Sequence, residues 1–258
     1  MIEYREHSYS RNGYVFLVWN RKGADGYMNE VLRQEKKFLI SLAKYYELSD
    51  RVKEVVKEDP NNRGEGYTIR SLYFDSIDNR DFQEKEDGVE LRRKIRLRNY
   101  GADSPYAKLE MKQKQGAMQK KRSLKMSRED AQALIRRDYS VLLKYEDPFA
   151  AECFWMMNQF CYLPKTVIEY KRKAFIAKEN SIRITFDHHI TGTESNMDIF
   201  SEDLLQNPLM NTYLVVLEVK FNGFLLEYIK DILRDAGTGE QAVSKYCLGR
   251  AVSMHYYF

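Results

Sequence analysis

Only three cysteines occur in the 258 residues, Cys153, Cys161 and Cys247, and none is spaced as CxxC. An odd, scattered set of thiols argues against a disulfide framework and a zinc knuckle, and reads as reduced core thiols of a cytoplasmic protein. Long apolar runs are also missing. The longest near the start, Tyr14 to Trp19, is too short for a signal-peptide core, and none approaches the ~18 residues of a membrane span. The expectation is a chain without a membrane span, any membrane association coming through recruitment by a membrane partner. No GxxxxGK loop, GxGxxG turn or GxSxG elbow is present, which removes the P-loop, Rossmann and hydrolase-elbow readings. No internal repeat or low-complexity linker divides the chain.

What is present is charge in alternation. With 43% hydrophobic and 31% charged residues and a net charge of +4, the composition is that of a globular protein able to bury a core. Residues 92–125 hold twelve Lys or Arg against only Asp103 and Glu110, so positive potential is concentrated there. Four stretches alternate ionic and apolar residues: Val89 to Arg98, Tyr106 to Lys114, Ser181 to Asp187 and Tyr213 to Phe221. Val167 to Arg172 does so less cleanly. On a strand, Val89, Leu91, Ile95 and Leu97 share one face while Glu90, Arg92, Lys94, Arg96 and Arg98 share the other. Cationic faces repel one another unless something anionic lies between them, which points to a strand-built polyanion site, with a metal.

Residues 1–27 show no helical period and read as an N-terminal extension, either flexible or not native; the domain is expected over 28–258. A strand is expected over 31–40, and Ser41 caps a helix to about Lys57. Tyr67 to Asp75 reads as a strand ahead of the two basic ones. Ser127 with Asp130 resembles a capping box for a helix to about Arg137. Phe149 to Phe160 reads as a helix, 166–176 and 181–187 as strands, and Gly223 to Arg234 and Ser244 to Tyr256 as closing helices. These helices need an apolar surface to cover. Either the charged strand faces look out to solvent, as is usual, or the apolar faces pack outward and the charged faces line a wet or anion-filled lumen.

The runs LRQEKKF (from Leu32), IRSLYFDS (from Ile69), KIRLRNY (from Lys94), KLEMKQK (from Lys108), VIEYKRKAF (from Val167), IRITFD (from Ile182), LEVK (from Leu217) and SKY (from Ser244) come in the order seen in the VTC domain. That domain is the polyphosphate polymerase module of the vacuolar transporter chaperone, a branch of the CYTH-like triphosphate tunnel metalloenzymes. The resemblance implies an α+β fold, an eight-stranded antiparallel β-barrel tunnel with a basic lumen covered outside by helices. It further implies ATP or another triphosphate, and inorganic polyphosphate, as ligands, with a divalent cation, Mn²⁺ or Mg²⁺. By motif position the catalytic phosphate-binding residues are Lys37, Arg96, Arg98, Lys112, Arg172, Arg183, Lys220 and Lys245. Arg70, Tyr73 and Lys114 are further candidate substrate contacts, and one more comes from Lys120, Lys121 or Arg122, a choice left open. Glu218 is the first candidate metal ligand. Glu35 is evenly poised between metal and ion pair, and Glu110 is read rather as an ion-pair partner.

Arg33 stands where the triphosphatases of the superfamily carry the first acid of ExExK, which turns the expectation from a two-metal hydrolase toward the polymerase. Arginine forks grip phosphate oxygens bidentately, and lysines act as point charges. Three activities remain in view: polyphosphate polymerase, triphosphatase, and a non-catalytic polyphosphate-binding module. Nucleic acid is not expected, because a narrow lumen excludes a duplex. For Arg172 and Lys245 the competing reading is a snorkelling side chain, and for Tyr73 and Tyr100, among nineteen tyrosines, packing rather than stacking on a base. His188 and His189, adjacent on a strand, are expected to point to opposite sides and to share no metal.

Overall fold

In this computed structural model the described residues are 33–62, 64–115, 118–237 and 239–254; the N-terminal extension expected over 1–27 lies outside them. The alternating segments are strands: β1 (Arg33–Ser41), β2 (Lys57–Glu58), β3 (Tyr67–Asp75), β4 (Leu91–Asn99), β5 (Tyr106–Gln115), β6 (Met118–Ser127), β7 (Leu163–Ile176), β8 (Arg183–Thr193), β9 (Asn207–Pro208) and β10 (Leu214–Asn222). Helices fall between and after them: α1 (Leu42–Val55), α2 (Arg80–Glu86), α3 (Arg128–Ile135), α4 (Pro148–Gln159), and, beyond β10, α5 (Glu227–Arg234) and α6 (Lys245–Met254). The caps act as their residue types demand. Ser41 Oγ accepts the Lys44 N–H at 3.2 Å and Ser127 Oγ that of Asp130 at 3.1 Å, each satisfying a donor that the first turn leaves free. Pro164 in β7 has no N–H to give, and the β3–β7 register shifts beside it.

All strand pairs are antiparallel, and the main path runs β1-β10-β8-β7-β3-β4-β5-β6, with β2 on β7 and β9 on β8. The closed eight-stranded barrel expected from the resemblance needs correction here. β1 and β6 are not paired with each other among the described residues, so the sheet is open. It is strongly curled all the same. Lys112 on β5 donates to Glu35 on β1 at 2.9 Å, although five strands separate them along the path. Right-handed twist accumulated over many strands brings distant ones face to face in this way. The free edge of β1 is partly covered, since the Lys37 carbonyl accepts the Gln241 N–H at 2.9 Å.

The apolar strand faces point outward to the helices. Leu72, Ile95, Leu97, Leu109, Met111 and Leu124 pack with Leu134 of α3 and Ala150, Cys153 and Met157 of α4. Ile40, Phe175, Ile184, Phe186, Leu217 and Val219 pack with Leu48 and Val52 of α1 and Ile229 and Ile232 of α5. Burying each large side chain contributes about 1.5–3 kcal/mol, so these two outer cores decide which face of the sheet turns inward. Of the thiols expected in the core, Cys153 is buried, Cys247 half-buried and Cys161 exposed.

A third cluster lies on the concave face. Ile69, Tyr73, Ile168, Tyr170 and Val216 surround Tyr246 of α6. Tyr246 stacks on Tyr73 at 5.2 Å between centroids, and its hydroxyl donates to the fully buried Asp75. Asp75 also accepts the Asp81 and Phe82 N–H groups at 2.8 and 3.0 Å, tying α6 to the start of α2. Gly66, at φ +111°, precedes β3 where a Cβ would sit 2.2 Å from the Arg172 carbonyl oxygen. Gly64, at φ +69°, has open space around it. Gly66→Ala is therefore expected to cost about 2 kcal/mol or more and Gly64→Ala no more than about 1 kcal/mol, read by urea denaturation; equal costs would refute the close-approach argument.

Candidate functional site

Strand pairing places the ionic residues in rows across the concave face. Glu35 sits opposite Lys220, Lys37 opposite Glu218, Arg172 opposite Asp187, Arg96 opposite Glu110 and Lys112 opposite both Lys94 and Lys121. Two carboxylates anchor one cluster. Lys37 lies 2.8 Å from Glu35 and 3.6 Å from Glu218, Lys112 reaches Glu35 at 2.9 Å, and Lys220 contacts both acids. A second cluster gathers on Glu110, which binds Arg96 at 2.7 Å and Lys121 at 2.6 Å, with Arg98 at 3.8 Å. In a third, Asp187 accepts a bidentate pair from Arg172 at 2.6 and 2.7 Å and the Lys245 ammonium at 2.6 Å. Arg183 pairs with Asp59 at 2.8 Å and donates to the Tyr67 hydroxyl at 3.1 Å.

These carboxylates are ionised against the pull of burial. Burial and the neighbouring Glu218 push Glu35 upward, but Lys37, Lys220 and Lys112 outweigh them and hold it at about 2. Burial likewise opposes ionisation of Glu218, yet Lys220, Lys37, Arg172 and Lys245 keep it well below the ordinary range. Asp187, desolvated but facing Arg172 and Lys245, sits at about 2. Glu110 is lowered by Arg96, Arg98 and Lys121 despite its burial. On the cationic side, burial is the largest influence that lowers Lys112, Lys121 and Lys94. Lys94 donates to Ser244 Oγ at 2.7 Å, and no carboxylate among the described residues lies within ion-pair range of its ammonium. The named cations outnumber the named acids, so the face carries net positive charge that an anion would complete.

Lys37, Arg96, Arg98, Lys112, Arg172, Arg183, Lys220 and Lys245 all reach this face, as do Glu35, Glu110 and Glu218. Of the three neighbouring basic residues on β6, Lys121 reaches it. Arg122 projects to the other side, donating to Glu152 of α4 and, at 2.9 Å, to Gln113. Its placement as a substrate contact needs correction, because alternation along β6 sends it and Lys120 to the helix-covered face. Arg70 needs the same correction: it pairs with Glu169 and with the Ile199 carbonyl at 3.2 Å behind the sheet. Lys114 shares the face of Lys112 by register. Tyr73 is buried under Tyr246 and accepts from Arg96 at 3.2 Å. Asp187, Lys94, Asp59 and Ser244 were not picked out by motif position. The alternation that marks Arg96 and Arg183 marks Lys94 and Asp187 as well, two and four residues along.

The two histidines do not diverge. A bulge in β8, with His189 at φ 49°, sets two residues against one of β7 and brings the two Nδ1 atoms to 2.6 Å. Burial, His189 and Lys171 push His188 down to about 4. Among the described residues no third ligand joins the histidine pair, and no group of three or more metal-binding side chains is assembled anywhere.

The sequence profile of the VTC domain matches residues 32–254. The chain belongs to the VTC domain family. No curated protein matches it. Among solved structures, this VTC domain is similar to a candidate adenylate cyclase from Bacillus halodurans at 12% identity, over 82% of this chain and 95% of that one, with a TM-score of 0.48. A candidate adenylate cyclase from Vibrio parahaemolyticus matches at 10% identity, over 84% and 96%, with a TM-score of 0.47. The PH1819 protein of Pyrococcus horikoshii matches at 12% identity, over 86% and 99%, with a TM-score of 0.43. No helix among the described residues is long and apolar enough to cross a membrane.

Asp187→Asn leaves Arg172 and Lys245 buried without their counter-charge and is expected to destabilise the VTC domain by about 3–5 kcal/mol in denaturant unfolding. The lowered carboxyls stabilise the fold above their ordinary values and lose that contribution as pH falls through the folded values. Their contribution is therefore expected to be complete above about pH 5 and to drop by a few kcal/mol toward pH 2; a flat acid limb in thermal melts would contradict the ion-pair assignments.

Proposed function

We propose that this VTC domain is a metal-dependent polyphosphate polymerase that transfers the terminal phosphate of ATP onto a polyphosphate chain lying along the concave face. The observation that carries the reading is the row of cations from Arg96 and Arg98 across Lys112 to Lys37 and Lys220, with the ionised pair Glu35 and Glu218 at one side.

Phosphoryl transfer asks the protein chiefly for in-line positioning and for charge on the non-bridging oxygens. Arg96 and Arg98 stand side by side on one strand and offer planar forks. Glu110 orients Arg96, accepting its Nε–H at 2.7 Å, while Arg98 donates to the Tyr170 hydroxyl at 3.3 Å. Lys37, Lys112 and Lys220 face them as point charges. Arg172 is locked by Asp187, so it contributes a fixed positive field rather than a mobile grip. Lys245, on α6, reaches the same acid and adds its charge beside that of Arg172. Strands hold most of these groups, which limits the reorganisation needed at the moment of transfer.

Glu35 and Glu218 are hard oxygen donors held in the ionised form, and two carboxylates completed by phosphate oxygens and water make a set that suits Mg²⁺ or Mn²⁺. Bound there, the ion would neutralise charge on the phosphate oxygens. Lys37 and Lys220, which neutralise the pair, are themselves phosphate ligands. Arrival of phosphate lets lysine and carboxylate exchange partners without leaving either charge bare. Glu110, ringed by Arg96, Arg98 and Lys121, fits the ion-pair role better.

Triphosphate hydrolysis is the second reading. It is favoured by the way Tyr246 of α6 packs onto the concave face against Tyr73, Tyr170 and Ile168, which suits a short substrate. Incubation with ATP and Mn²⁺ separates the two by product: polymer resolved on a gel for the polymerase, orthophosphate alone for the hydrolase. Arg96→Ala is expected to lower turnover by about 10²-fold or more. Tripolyphosphate at a hundred times its Kd is expected to raise Tm by roughly 5–10 °C. Absence of polymer from a folded protein that shows this shift would sink the polymerase reading.

A further inference from the structure

Phosphate recognition requires cations, yet beyond Arg183 the site runs into aromatic rings. Tyr67, Tyr100 and Tyr106 form a file, with centroids 6.1 Å apart between the first two and 6.5 Å between the last two. Tyr67 is on the concave face, opposite Arg172, and its hydroxyl accepts from Arg183. Tyr106 opens β5, with the Lys125 ammonium 4.4 Å from its ring centroid. Between them Tyr100 follows β4 directly and remains 38% exposed, with the Lys108 ammonium 5.8 Å from its centroid. Tyr73 is different: it is 5% exposed and its ring is spent on Tyr246. Tyr106 also borders, with Lys125 and Tyr145, an open hollow of about 370 Å³, so there is free space at this end of the sheet.

An exposed tyrosine flanked by two further rings and two lysines is a platform for a planar, electron-poor ligand next to negative charge. We propose that Tyr100, supported by Tyr67 and Tyr106, stacks the base of a nucleoside triphosphate, so that this mouth of the site selects nucleotides over inorganic tripolyphosphate. The inference rests on the phosphate-binding reading of the concave face and adds its donor specificity. A phosphate held by Arg183 sets the sugar beside the Tyr67 hydroxyl and carries the base outward over Tyr100. Lys108 and Lys125 then lie near the phosphate and sugar edge. Stacking is tolerant of base identity but grows with ring area, so purines are favoured over pyrimidines.

The test is calorimetric titration of the full chain, with Mg²⁺, by a β,γ-imido analogue of ATP and separately by tripolyphosphate. Tyr100→Leu is expected to weaken the nucleotide by about five- to a hundredfold while tripolyphosphate moves by less than about twofold. Tyr100→Phe keeps the ring and is expected to hold nucleotide affinity within about twofold. If Tyr100→Leu leaves nucleotide binding unchanged, or weakens both ligands equally, the platform is overturned while phosphate binding stands. If the unaltered protein binds neither ligand, the phosphate reading falls and the platform with it.

Discussion

Like charges folded toward one another set the terms for this molecule. A curled sheet that turns lysines and arginines inward would spring open under their repulsion and their desolvation if nothing answered them. Glu35, Glu218, Glu110 and Asp187 answer them, each shared among several cations rather than paired with one. Sharing leaves part of the positive charge uncompensated, so the same arrangement that keeps the fold together leaves it ready for a polyanion. The two outer cores supply the opposing force. They bury the apolar strand faces under helices and leave the ionic faces nowhere to go but inward.

The concave face is not uniform. On one side the clusters around Glu35, Glu110 and Asp187 make it ionic; on the other, Tyr246 and its neighbours make it apolar. Residues 241–245 connect the two, running from the edge of β1, where Gln241 bonds to Lys37, to Ser244 beside Lys94 and Lys245 on Asp187. Stability and recognition therefore draw on the same short segment.

Much of this was legible from residue order. Period-two alternation announced β4, β5, β8 and β10 and their charged faces, and hydroxyl caps announced α1 and α3. The need of the helices for an apolar surface left two orientations of the charge open, and the resemblance chose the inward one. Arg70 and Arg122 were misplaced because motif proximity says nothing of parity: one residue along a strand reverses the face, and both are held behind the sheet by Glu169 and Glu152. The histidine pair was misread because a single left-handed residue suspends alternation, and nothing local in His-His reveals a bulge. Closure of the barrel was a property of the family resemblance, whereas pairing of β1 with β6 depends on cumulative twist that no local pattern encodes. Asp187 and Lys94 lay within the quoted motifs and needed only the alternation to be carried further.

Residues that meet in the site are far apart in synthesis. Lys37 and the Val243 carbonyl that it binds are 206 positions apart, and Lys94 and Ser244 are 150 apart. The cation-rich strands β4 to β6 leave the ribosome with Glu110 as the one site acid among them, well before Asp187 and Glu218 emerge. For that interval residues 91–127 form a strongly basic segment, answered by Glu35, Asp59 and Glu110 alone among the site acids. Arrival of Asp187 and Glu218 thus makes β8 and β10 the strands that complete the charge balance begun by Glu35 and Glu110.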